Sequence, residues 1–182
     1  MTIYTTCTSK KKTSENTKSL TLESRYIYME KYKAIDIARW FINRSKEETD
    51  NKKMNLLKLM KLIYYAEGCS LALNDKSLFD EKILAWEHGP AIQEVWDVFA
   101  APSDLTVNEK DMTKSINKIT NDDKQILEDV YSIFGKYTAL QLKNKTRFEN
   151  PWADTTNNGT KFKKEIPRNK IKKYFKENYI TD

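Results

Sequence analysis

The stretch from about Met54 to Leu73 is apolar on almost every side. Leu56, Leu57, Leu59, Met60, Leu62, Ile63, Tyr64, Tyr65 and Ala66 leave only the side bearing Lys58 and Lys61 polar. A surface helix has one apolar stripe, whereas a helix that is apolar nearly all round must be covered on several faces. With Asp50 or Asn51 as its cap, this segment is expected to be the central helix of an α-helical domain. It does not predict a membrane span, because no apolar run in the chain approaches the roughly 18 residues that crossing a bilayer takes.

The flanking segments supply the covering helices. Ala34, Ile37, Ala38, Phe41 and Ile42 repeat at helical spacing and predict a first helix over about 32–45. Lys82 to Trp86 reads as a short strand, and Gly89-Pro90 punctuates it. Pro90 suits the first position of a helix, where a missing N–H costs nothing. Ile92, Val95, Trp96 and Phe99 continue that helix to about Ala101-Pro102. Residues 103–120 are polar and weakly patterned, anchored only by Val107 and Met112. Asn121 or Asp122 can cap the next helix, whose face is Ile126, Leu127, Val130, Tyr131 and Phe134 and whose stop is Gly135. Thr138 and Gln141 form a capping box for a helix through about Lys145, which Asn150-Pro151-Trp152 ends. Asn157-Asn158-Gly159 is a turn, and Ile171, Tyr174, Phe175 and Tyr179 build a last helix after Pro167. The fold class is mainly α: a compact domain of about six helices with at most a short β-strand pair, spanning residues 31–182. Residues 1–30, rich in Thr, Ser and Lys without apolar periodicity, read as a loosely attached basic segment. The domain, or the natural chain, is expected to begin near Met29.

Composition removes several chemistries. The one histidine, His88, excludes any two-His metal site, and Cys7 and Cys69 lie too far apart for a Cys-x-x-Cys motif. No metal and no cofactor are expected. The cysteine usage and the lack of a signal peptide suit a reduced cytoplasm. The net charge of +6 is uneven. Residues 1–32 hold six basic side chains against three acidic ones and residues 159–182 hold eight against three, so the body between is nearly neutral. Basic ends can serve a nucleic acid. Here, however, Lys170, Lys172, Lys173 and Lys176 are interleaved with Ile171, Tyr174 and Phe175, whose spacing reads as a docking face. Nucleic acid is therefore not the expected partner.

Two segments stand out chemically. In Trp86-Glu87-His88-Gly89-Pro90, a neutral His beside a carboxylate could act as a base. No Ser, Cys or Asp stands at a spacing that makes a triad with it, so capping or packing is the simpler reading. In Arg147-Phe148-Glu149-Asn150-Pro151-Trp152, Glu149 with Asp154 could hold a metal or act as acid and base, but capping and surface charge explain them as well. Trp152, in a Pro-fixed turn, is a core plug or an interface anchor. Both segments join a Pro to a Trp and a carboxylate. They are expected to close on one another as one cleft, with His88 and Glu149 polar and Trp86 and Trp152 as walls.

Together, residues 57–68 (Leu-Lys-Leu-Met-Lys-Leu-Ile-Tyr-Tyr-Ala-Glu-Gly), Ala85-Trp86-Glu87-His88-Gly89-Pro90 with Val95-Trp96, and Thr146-Arg147-Phe148-Glu149-Asn150-Pro151-Trp152 resemble the Panacea domain, the SocA-like antitoxin domain of bacteria and phages. The resemblance covers about Lys33 to Phe175. Arg147 stands where the family usually has His, and Ala91 where Val follows Gly-Pro; the first departure counts against a catalytic motif. The resemblance implies a mainly helical domain that binds and neutralises a cognate toxin protein, in some members as an adaptor to an AAA+ protease. The implied partner-binding residues are Trp86, His88, Gly89, Pro90, Arg147, Glu149, Pro151 and Trp152.

Three functions follow for testing: a non-enzymatic antitoxin, or a phage-borne relative of one, that occludes its toxin; a nucleic-acid-binding regulator using the basic C-terminal helix; and an enzyme using His88 and Glu149.

Overall fold

The structure, a computed structural model, describes residues 31–47, 54–101, 105 and 107–180. The expectations for residues 1–30 and for Met29 lie outside the described residues. Eight helices occur among them: α1 (Ala34–Ser45), α2 (Leu56–Asn74), α3 (Gln93–Phe99), α4 (Glu109–Lys118), α5 (Asn121–Phe134), α6 (Ala139–Arg147), α7 (Asn150–Thr156) and α8 (Arg168–Asn178). Three short strands, β1 (Leu84–Trp86), β2 (Gly89–Ala91) and β3 (Lys164–Glu165), form one antiparallel sheet in the order β2-β1-β3. The mainly α class holds; the sheet has a third strand and the helices outnumber the expected six.

The centre is α2. The Asn55 side chain caps it by accepting from the Lys58 N–H, and Asp75 ends it in the left-handed region at φ 55°. It packs against α1, α3, α5, α6, α8 and β2. Leu59, Leu62, Ile63, Tyr64, Tyr65 and Ala66 are fully buried. The polar side, Lys58 and Lys61, is buried as well. Lys58 Nζ donates to the Gly135 carbonyl at 2.5 Å, at the C-terminus of α5, where a cation also meets the negative end of the helix dipole. Lys61 Nζ donates to the Pro90 carbonyl at 2.7 Å. The buried Glu67 accepts from Ser77 Oγ, the Leu78 N–H and Arg168 Nε. Gly68 opens the space for α8, because a Cβ there would lie 2.3 Å from the Phe175 ring.

Several local expectations change. Pro90 does not open a helix; it sits in β2, paired with Ala85, and α3 begins at Gln93. Asn150-Pro151-Trp152 does not merely end α6 but opens α7. Glu149 is the extended N-cap, and the proline stands in the first helical turn, where its missing N–H costs nothing. The polar stretch 103–120 holds α4, capped by Asn108 and fastened to α1 through Ser115, whose hydroxyl donates to Asp36 Oδ1 at 2.5 Å. The cap of α5 is Thr120 rather than Asn121 or Asp122. No helix of the described residues is long and apolar enough to cross a membrane.

Candidate functional site

The two segments singled out in the sequence meet on one side of α2. β1 alternates: Ala85 points into the core, while Leu84 and Trp86 lie half-buried on the other face. Trp86 pairs with Gly89 across the two-residue turn Glu87-His88, so His88 is exposed at the tip of the hairpin. Gly89 adopts φ +95°, and a Cβ there would fall 2.7 Å from Thr146 Oγ1 and 2.9 Å from Lys61 Cε. The glycine thus lets β2 lie directly against α6 and α2. Burial, with Lys143 adding its charge, lowers the Lys61 ammonium to a pKa of about 7.

The α6–α7 elbow is locked to this hairpin. Trp152 is buried, and its indole N–H donates to the Trp86 carbonyl at 2.9 Å. The Arg147 guanidinium lies 5.0 Å over the Trp152 ring, within cation–π range. Phe162, on the approach to β3, packs 6.4 Å from Trp152, and Trp96 of α3 packs edge-on to Trp86 at 5.4 Å. The ring pairs Trp86–Trp96 and Trp152–Phe162 are thus joined through the backbone carbonyl of Trp86.

Glu149 turns the other way. It is buried, and its Oε1 accepts from Tyr65 Oη at 2.8 Å and Tyr179 Oη at 2.6 Å. Its Oε2 and the Tyr64 hydroxyl have no hydrogen-bond partner. Burial raises the carboxyl above its ordinary range, against the hydrogen bonds of Tyr179 and Tyr65 and the charge of Lys145, which pull it down. Burial and the adjacent Glu149 raise Tyr64, Tyr65 and Tyr179 in turn. The arrangement joins α2, α7 and α8 through one carboxyl group.

The structure thus brings Trp86, Gly89, Pro90, Arg147, Pro151 and Trp152 together. It does not bring His88 and Glu149 into a shared open cleft: the imidazole is at the hairpin tip in solvent, and the carboxyl is in the interior. The reason is the elbow itself. An N-cap residue with extended backbone points its side chain away from the residue before it, so the neighbours Phe148 and Glu149 diverge. Phe148 is 86 % exposed and Glu149 2 %. Asp154 is exposed, so it does not pair with the buried Glu149 around a metal. Among the described residues no group of three or more His, Cys, Asp or Glu could hold a metal ion.

Sequence reasoning missed Phe148 and Phe162 as surface residues, and Lys61 and Thr146 as the packing partners of Gly89. The Gly in a Trp-x-x-Gly-Pro hairpin was the available signal for a close approach. The C-terminal helix keeps few free cations. Lys172 and Lys176 pair with Asp75, Lys173 with Glu177 and Arg168 with Glu67, while Ile171 and Phe175 are buried. A separate groove of about 420 Å³ between α1, α4 and α5, lined by Trp40, Arg44, Ile116 and Glu128 among others, contains none of the motif residues.

A family model for the SocA-like antitoxin, Panacea domain, matches residues 59–153, slightly more than half of the chain. The match takes in α2 from Leu59 onward, the hairpin, the elbow and Trp152. Neither the curated proteins nor the solved structures contain a match to this chain.

Proposed function

Starting from the chain's membership of the SocA-like Panacea antitoxin family, we propose that it neutralises a cognate toxin by binding it directly, without chemistry of its own. The observation that carries this reading is the division of labour within the motifs. Their polar and rigid members, Gly89, Pro90, Glu149 and Trp152, are spent on the framework, while large apolar side chains stand in solvent beside them: Phe148, Trp96 and Phe162. Exposed aromatic residues on a rigid support are what protein interfaces use as anchors. The enzymatic alternative loses its pair, since His88 and Glu149 do not face a common space. The toxin would be bound in the cytoplasm and blocked by occlusion.

Co-expression tests this. A toxin encoded beside this chain should arrest growth alone, lose its effect when the chain is co-expressed, and co-purify with it in a fixed ratio. Toxicity that persists with the chain well expressed and folded overturns the reading.

A further inference from the structure

Between α6 and α7 only Glu149 leaves the helical conformation. Phe148 keeps helical backbone and donates its N–H to the Asn144 and Lys145 carbonyls, and Asn150 opens the next helix. Glu149 between them is extended, at φ −81° and ψ 136°. Rotation about that one residue swings α7 against α6 and re-aims Phe148. The side chain of Glu149 holds this pivot. Its Oε1 accepts from Tyr65 Oη of α2 and from Tyr179 Oη at the C-terminal end of α8. Both hydroxyls are fixed in place by their rings. Tyr65 lies flat on Phe134 at 3.8 Å, and Tyr179 meets Phe134 edge-on at 5.7 Å and Phe175 at 4.9 Å. Lys145 of α6 sits 5.2 Å over the Tyr179 ring.

Cohesion alone does not require this arrangement. A carboxyl group sealed from water is costly, and apolar side chains of similar volume often hold a core together as well or better. What two hydrogen bonds from rigid donors supply, and apolar contact does not, is direction. The direction matters because Phe148, 86 % exposed, is the preceding residue. We infer that Glu149 is a positioning residue for partner recognition: its carboxyl, tied to Tyr65 and Tyr179, sets the α6–α7 elbow and so the direction in which Phe148 is presented. The inference rests on the reading of the domain as a toxin-binding module and names the residue that orients its anchor. It also couples the C-terminal end of α8 to the elbow. Tyr179 is the cap residue of α8, so unseating that end frees Glu149.

The first test needs no partner. Chymotrypsin cuts after an exposed aromatic residue only where the backbone opens, so its rate reports the population of the open form. In the full chain the bond from Phe148 to Glu149 is the reporter. The bond after Phe162, a residue exposed and packed on Trp152 instead, is the internal standard. Tyr179→Phe keeps the ring and removes one hydrogen bond to the carboxyl group. It should speed cleavage at Phe148 roughly tenfold while the cut at Phe162 keeps its rate. The triple variant Tyr65→Phe, Tyr179→Phe, Glu149→Met removes the polar cluster at similar volume. It should fold cooperatively and show the same acceleration. The second test measures affinity for the toxin of the co-expression assay. Tyr179→Phe should weaken binding roughly tenfold in the unsubstituted chain and add nothing in a Phe148→Ser chain, because the two changes act through one side chain. Unchanged cleavage at Phe148 in either variant, a triple variant that does not fold, or equal weakening in the two backgrounds overturns the inference. A chain that rescues cells while its variants are cleaved no faster keeps the antitoxin reading and ends this one. Faster cleavage at Phe148 in variants of a chain that rescues nothing keeps the hold on Phe148 and ends the antitoxin reading.

Discussion

Phe148 and Glu149 are neighbours in sequence and opposites in structure. Among the described residues one is the most exposed of the large apolar side chains, and the other is a carboxyl sealed among tyrosines. The same contrast separates the two sides of the hairpin–elbow junction. On the inner side, Gly89 is fitted against Lys61 and Thr146, Glu149 against Tyr65 and Tyr179, and Trp152 against the Trp86 carbonyl. On the outer side, Phe148 stands in solvent, while Trp96 and Phe162 are exposed and each packs against one ring, Trp86 and Trp152. A motif legible as one string in sequence therefore serves two physical ends: its inner residues set the shape, and its outer residues offer that shape to a partner.

The contrast breaks or sharpens most clearly at Trp152. Removing a buried ring that also satisfies the Trp86 carbonyl should cost about 3–5 kcal/mol, measured as a drop in the urea midpoint of the full chain. A loss under about 1 kcal/mol would put Trp152 on the outer side. Leu59→Ala and Ile63→Ala, in the fully buried wall of α2, should each cost about 2–5 kcal/mol. Gly89→Ala comes next. It meets Thr146 and Lys61 and forces a side chain into a positive φ, for about 1–3 kcal/mol, and thermal melting would register it.

Lys61 gives the inner side a pH signature. With its pKa lowered to about 7 from 10.5, the folded chain has lost a proton that the unfolded chain still holds between those values. Unfolding then takes up a proton, so this group makes stability rise with pH across that window, by up to about 1.4 kcal/mol per unit. Below about pH 7 its contribution stops changing. In Lys61→Met the rise between pH 7 and 9 should flatten, and denaturation curves at three pH values would show it; an unchanged slope would mean that Lys61 keeps its charge. The smallest effect belongs to the outer side. Phe148→Ser and Trp96→Ala should move stability by no more than about 0.5 kcal/mol, while partner binding falls. A large stability loss in either would erase the distinction drawn here.

Much of the frame was legible in the sequence. The all-round apolar run gave α2, the spacing of Ile126 to Phe134 gave α5, and Thr138 with Gln141 gave the start of α6, because periodicity and capping are local properties. What was hidden depends on distant partners. Nothing in the spacing of Lys58 and Lys61 shows that the carbonyls of Gly135 and Pro90 lie beside them. Helix α4 has a narrow apolar stripe, Met112 with Ile116 and Ile119, that polar neighbours obscure; its Asn108 cap and acidic first turn were the better signal. Strand β3 is two exposed residues long and has no pattern of its own. Within the site, the Trp and Pro residues announced a junction, but the direction of Glu149 depends on the elbow angle, which only the tyrosines on α2 and α8 explain.

The seat that Gly68 provides for Phe175 has a consequence for biosynthesis. Residues 64–68 emerge from a ribosome more than a hundred positions before the ring that covers them. Until α8 arrives, Tyr64, Tyr65 and the bare backbone at Gly68 form an open apolar trough on the nascent chain. A long sequence separation between contacting residues delays the step that joins them, and transiently uncovered apolar surface is where unfinished chains stick to one another. Closure of the core is thus deferred until α8 has been translated, and a chain cut short before α8 would enter the cell with its central helix bare along one side.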